Sequence, residues 1–261
     1  MSGLRIENVS LRYGARPILR DLTLPELCPG EVTVLAGPNA AGKSTLLRAI
    51  AQLAPYRGRI TLEGEDLARM PLRRRARLIG VMPQALPAGS SLVVLESVIA
   101  ALRAGSDGFT RKADAQAMAV LDRLGIADLA MEPLDQLSGG QRQMVSLAQA
   151  IVRDPRVLLL DEPTSALDLA RQVRLLGELR ALAGEGRIVV AVLHDLAMAA
   201  QWADRIVLLH RGELHSSGPP ATVLTPDLLA RVYGVRARVE RCSQGRITVL
   251  IDGEVQGGPR L

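Results

Sequence analysis

Three stretches of this 261-residue chain combine residue types suited to phosphate chemistry. The first, Gly37-Pro38-Asn39-Ala40-Ala41-Gly42-Lys43-Ser44 followed by Thr45, fits the spacing GxxxxGK with Ser or Thr next. In such a loop the backbone amides and the following helix start point at phosphate oxygens, the lysine reaches the β and γ groups, and the hydroxyl ligates magnesium. The chain has two lysines, Lys43 and Lys112, and its other basic residues are arginines. The second stretch, Val157-Leu158-Leu159-Leu160-Asp161-Glu162, is an apolar strand with two adjacent carboxylates at its C-terminal end, where α/β sheets place their ligands. Beside a phosphate loop, Asp161 is expected near the magnesium, and Glu162 is expected to orient or deprotonate the attacking water. Alone, such a pair is as readily a solvated strand end. The third, Leu137-Ser138-Gly139-Gly140-Gln141, sets a serine and two glycines at a helix start, which makes either an anion site or a plain N-cap.

These residues need elements to hold them. Alternation in Leu4, Ile6 and Val9, then in Ile18, Leu22 and Leu24, predicts half-buried antiparallel strands. Val32 to Ala36 reads as a strand, the glycine-rich loop follows it, and Lys43 to Leu53 has helical composition. A further strand pair is expected around Arg59 to Leu62 and Leu78 to Met82. From Leu92 to Arg153 the period becomes helical. Strand character returns at Val157 to Leu160, Ile188 to Leu193 and Ile206 to Leu209, with a helix over roughly Leu169 to Leu182. Apolar strands alternating with helices predict a parallel α/β sheet. Thr225-Pro226-Asp227 is a helix start and Gly234 its stop, and alternation beyond Val235 predicts a closing hairpin.

Composition narrows the class. At 48% hydrophobic and 23% charged the chain is globular in character, and no apolar run approaches the roughly 20 residues of a membrane-spanning helix. The N-terminus has no signal-peptide core, and Cys28 and Cys242 have neither metal spacing nor a pairing framework, so a reducing cytoplasm is expected. A net charge of +5 could suit nucleic acid, but 2% aromatics leaves no stacking platform, and the cluster Arg73-Arg74-Arg75 with Arg77 reads better as a solvated face. No nucleic-acid partner is expected.

With Leu137-Ser138-Gly139-Gly140-Gln141 ahead of the acidic strand and after the phosphate loop, the chain resembles the ATP-binding cassette (ABC) ATPases. The resemblance covers nearly the whole chain. It implies a P-loop NTPase (RecA-like) core with an antiparallel β subdomain and a helical insertion, using ATP and Mg2+. One ABC ATPase domain over 1–261 would divide into an α/β core (1–86 and 154–234), the insertion (87–153) and a C-terminal hairpin (235–261). The resemblance makes Tyr13 the aromatic that stacks on adenine and Gln84 the glutamine that touches magnesium and senses the membrane partner. It makes Asp168, in Ser165-Ala166-Leu167-Asp168, part of a loop signalling across a dimer, and His194 a switch contacting the γ-phosphate. Each has a plain counterpart: a surface tyrosine, a loop glutamine, an N-cap and a strand-end hydrogen-bonder. Catalysis is assigned to Glu162, His194 and Lys43. Nucleotide binding also draws on Ser138, Gly139, Gly140 and Gln141, and the metal on Ser44, Gln84 and Asp161. One departure is Ala40, where the family's loop usually has glycine, and its methyl group restricts the backbone.

The segments Gly218 to Val239 and Val145 to Leu169 look most like subunits serving iron-siderophore, haem and cobalamin uptake. That implies an importer ATPase, with iron(III)-siderophore as cargo and haem or cobalamin as alternatives. It also implies a homodimer beneath two integral-membrane permease subunits docked near Gln84 and the helical insertion, a separate substrate-binding protein, and a peripheral place on the cytoplasmic face of the plasma membrane. One phosphate loop and one LSGGQ per chain require two copies head to tail, Lys43 of one copy facing Ser138 of the other. The rivals are a non-transport ABC protein acting on ribosomes or DNA, which usually has two cassettes or a long coiled coil, and an unrelated P-loop kinase or GTPase, which would lack LSGGQ.

Overall fold

Alternating apolar residues build the first strands of the computed structural model, which describes residues 3–83, 92–104 and 112–255. In β1 (Leu4–Tyr13) Leu4, Ile6, Val9 and Leu11 are buried while most of their neighbours face out, and β2 (Arg16–Leu22) pairs with it antiparallel. β3 (Val32–Ala36) is buried along its whole length, as a strand covered on both faces must be, and passes through the glycine-rich loop into α1 (Lys43–Ile50). β4 (Arg57–Leu62) and the short β5 (Glu65–Asp66) complete a four-stranded sheet of order β2-β1-β4-β5. Next come α2 (Leu72–Leu78) and β6 (Ile79–Met82), then the helices α3 (Val94–Arg103), α4 (Ala113–Leu124) and α5 (Gly139–Ile151), which pack on one another. β7 (Val157–Asp161), α6 (Leu169–Gly184), β8 (Ile188–Val192), α7 (Leu196–Trp202), β9 (Arg205–His210) and β10 (Glu213–Gly218) follow. The chain closes through α8 (Pro220–Val223), α9 (Pro226–Leu228) and the hairpin β11 (Val235–Arg241) with β12 (Ile247–Glu254).

The six-stranded sheet has the order β10-β9-β3-β8-β7-β6, all parallel except edge strand β10. Its strands divide two cores by simple alternation. Leu158, Leu160, Val189, Ala191, Ile206 and Leu208 face the helices of the α3–α5 side, whereas Leu159, Val190, Val192, Val207 and Leu209 face α1 and the antiparallel sheet. Both faces are apolar, which is why these strands read as continuous hydrophobic runs.

One expectation changes. The segments expected to pair as Arg59 to Leu62 and Leu78 to Met82 lie in different sheets: β4 bonds to β1, and β6 runs parallel beside β7. A period-two pattern marks a strand without naming its partner, and the helix α2 between them carries the chain from one sheet to the other. The arginine cluster forms that helix, none of whose residues is buried, with Arg74 paired to Glu65 at 2.6 Å and Arg75 bonded to the carbonyls of Leu67 and Met70.

Candidate functional site

Parallel strands end together, so the loops leaving β3, β7 and β8 meet at one edge of the sheet. The loop 37–42 leaves β3. A side chain at Gly37 (φ 139°) would strike the carbonyl of Leu209, so the loop can lie against β9 only with glycine there. Ala40 adopts φ 60°, the left-handed region where the usual glycine would be unstrained; for alanine the cost is of order 1 kcal/mol. The loop therefore takes this shape without that glycine. Lys43, 5% exposed, opens α1 and donates from Nζ to the carbonyls of Gly37 (2.7 Å) and Pro38 (2.9 Å). Burial holds its ammonium below the ordinary lysine value, and the Glu162 and Asp161 carboxylates pull it back up.

The acidic pair sits opposite. Ser44 Oγ donates to Asp161 Oδ1 at 2.9 Å, and burial pushes the Asp161 carboxyl up, partly offset by that bond. Glu162, just past β7, adopts φ 53°, a strained conformation for a non-glycine residue, costing of order 1 kcal/mol or more. Its Oε1 lies 2.7 Å from Nε2 of His194, which the loop after β8 supplies. Lys43, Ser44, Thr45, Glu162 and His194, with Asn39 to Gly42, line a single cavity of about 240 Å³. Arg16 and Ile18 of β2 line it too, and no motif spacing points to them. Tyr13, half-exposed, is the register partner of Arg16 at the end of the same hairpin. A larger hollow of about 470 Å³ on the β1–β2 side, lined by Arg12, Arg20, Tyr56 and Arg57 among others, holds none of the predicted site residues.

The magnesium donors can be judged on their chemistry. Magnesium takes hard oxygens, typically one or two carboxylates with phosphate and water rather than an all-protein cage. Ser44 Oγ and the Asp161 carboxylate fit that demand, and among the described residues no group of three or more His, Cys, Asp or Glu could hold an ion. Gln84 lies outside the described residues.

Ser138, Gly139, Gly140 and Gln141 do not line the Lys43 cavity. Ser138 caps α5: its Oγ accepts from the Gln141 amide at 3.3 Å while its own N–H donates to Gln141 Oε1 at 2.8 Å, a capping box. Gly140 lies under the Ala166 carbonyl, 3.1 Å from where a Cβ would stand, so the helix start packs against the loop that includes Asp168. Asp168 caps α6, accepting from the Arg171 amide at 2.9 Å. Ser138 and Asp168 thus each have the plain capping role in this chain, and Gln141 opens on a separate hollow with Arg171 and Arg174.

Known proteins bear on this geometry. The sequence profile of the ABC transporter family matches residues 19–165, from β2 through the loop of Lys43, the Ser138 helix and the acidic pair. The chain belongs to the ABC transporter family. It is 38% identical over 256 residues to the hemin import ATP-binding protein HmuV of Jannaschia sp. (strain CCS1), spanning 95% of this chain and 93% of that one. It is 35% identical over 261 residues to the ferric enterobactin transport ATP-binding protein FepC of Escherichia coli (strain K12), spanning 98% and 92%. The dimeric structure of MJ0796, a bacterial ABC transporter cassette, matches with a TM-score of 0.75 at 27% identity, over 83% of this chain and 98% of that one. The fold is that of the P-loop ABC ATPases, and this ABC protein is an ATPase.

Proposed function

We propose that this ABC protein is the ATP-hydrolysing subunit of an importer for iron complexes. Two copies would act head to tail on the cytoplasmic face of the membrane, beneath two permease subunits fed by a substrate-binding protein. The observation that carries the reading is the convergence of Lys43, Ser44, Asp161, Glu162 and His194 at one edge of the parallel sheet. Among the described residues no helix is long and apolar enough to cross a membrane, and the proposal assigns the translocation path to partner chains. The named relatives handle hemin and ferric enterobactin, which share one chemistry, an iron chelate. That class is the cargo assigned here, and it includes the iron(III)-siderophore expected from sequence.

In this reading, Lys43 Nζ, which donates to the loop's own carbonyls, turns to the β and γ oxygens of the nucleotide. Ser44 Oγ and Asp161 would hold a magnesium ion, which would supply charge neutralisation of the phosphates. Glu162 takes a proton from the attacking water, and His194 fixes its carboxylate through the 2.7 Å bond. Tyr13, whose register partner Arg16 lines the cavity, would cover the base. Ser138, Gly139, Gly140 and Gln141 would serve the partner's nucleotide, because none of them lines the Lys43 cavity and Gln141 opens on a different hollow.

The reading is tested by titrating ATP onto the purified wild type and Lys43→Ala. Removing the loop's side-chain cation should abolish tight binding, and equal affinities would show the loop to be misassigned. Restoring uptake of hemin or of a ferric siderophore to cells lacking this subunit would then separate the two cargoes.

A further inference from the structure

We infer that Gln143, on α5, is a positioning residue for hydrolysis, its side-chain amide tying the helix that begins at Ser138 to the backbone of Glu162. The inference rests on the proposed function. Gln143 is 7% exposed, and the residues after it, Met144 to Ala148, are also buried. A buried amide is costly unless it is bonded. This one is bonded at both ends: Nε2 donates to the Glu162 carbonyl at 2.8 Å, and Oε1 accepts from the Ala166 amide at 3.0 Å. Ser165 Oγ adds a second donor to the same Glu162 carbonyl at 3.1 Å.

Glu162 needs such support because of its positive φ. A strained backbone persists only where its surroundings over-determine it. The bonds to its carbonyl help to fix the peptide, and the peptide helps to fix where the carboxylate meets His194. Gln143 also sits on the same rigid helix as Ser138, which in the head-to-tail dimer acts on the other copy's nucleotide. A displacement of that helix start as the dimer closes is therefore transmitted to this copy's own Glu162. Each copy senses through Gln143 whether its signature residues are seated.

The experiment uses the full chain and measures ATP affinity, kcat, the Hill coefficient for ATP and thermal melting. Gln143→Met has nearly the same shape and cannot bond at either end. Its ATP affinity should stay within about two-fold, its kcat should fall roughly ten-fold or more, as small misplacements of a reacting group do, and its Hill coefficient should drop toward one. Gln143→Glu gives the sharper readout. Its carboxyl accepts from Ala166 in either state but donates to Glu162 only when protonated, so the ratio of its kcat to that of wild type should fall as pH rises. The titratable and charged groups facing it are Asp161 and Glu162 of the β7 end, His194 bonded to Glu162, and Asp168 and Arg171 of the α6 start; wild type shares them all, so the ratio isolates what the substitution changes. A Gln143→Met kcat within two-fold of wild type overturns the inference. If that variant does not fold, a Gln143→Glu ratio that is flat with pH overturns it. A wild-type protein that neither binds nor hydrolyses ATP overturns the proposed function first, before any variant is made.

Discussion

At the scale of single residues, the site keeps charges where water would serve them better. Burial raises the Asp161 carboxyl above its ordinary value, and the Ser44 bond only partly reverses this. A carboxyl that holds its proton more tightly folded than unfolded opposes folding increasingly as pH rises through its titration. Asp161→Asn removes that charge and keeps an oxygen for Ser44. The nucleotide-free variant should therefore melt higher than wild type at neutral pH, the gap closing as pH falls through the carboxylate range, while magnesium-dependent ATP affinity drops. Melting curves across pH with parallel titrations check both halves. A lower melting point at neutral pH would mean that the Ser44 bond outweighs the burial. Sites of this kind give up stability for function.

At the scale of elements, α5 has two duties that separate along its length. Its first turn presents Ser138 within a capping box, and its next turn carries Gln143 inward. Ser138→Arg removes the cap, at a cost of about 1 kcal/mol, which in a chain of this size lowers the melting point by roughly 2–4 °C. It also puts a bulky cation where the partner's nucleotide should dock. ATP binding by the isolated subunit should stay nearly intact and hydrolysis should vanish. A primary loss of binding by the subunit would argue against the head-to-tail arrangement. The C-terminal elements also reach the site: the β12 strand packs on α7, which starts just after His194. Burial pushes the Tyr233 phenol up to about 12 against a hydrogen bond with the Gly37 backbone.

At the scale of the whole molecule, one chain holds one set of phosphate, acid and histidine groups, and the helix start at Ser138 does not line that cavity. If hydrolysis is what separates two copies, Glu162→Gln, which keeps the volume and removes the base, should trap them. Phosphate release should fall by roughly 10²- to 10⁴-fold. With ATP and magnesium the variant should elute as a dimer on size-exclusion chromatography, and without nucleotide as a monomer. Hydrolysis within a few-fold of wild type would remove Glu162 from catalysis. An inactive variant that never dimerises would leave the base in place and remove the dimer.

Much of this was legible locally. The phosphate loop, the strand ending in Asp161 and Glu162 and the capping roles of Ser138, Asp168 and Thr225 depend on neighbours close in sequence, where spacing and side-chain type carry the physics. What only the tertiary structure decided are pairings across distance. The sequence alone could not send Arg57–Leu62 and Ile79–Met82 to different sheets, because alternation records burial and not partner. Nor could it bring Arg16 and Ile18 to the cavity wall or set His194 against Glu162, since those contacts depend on the order in which strands lie side by side. Gln143 left a partial trace, a polar residue on a helix face of apolar ones. A buried amide must have partners, and only the fold shows that they are the carbonyl of Glu162 and the amide of Ala166.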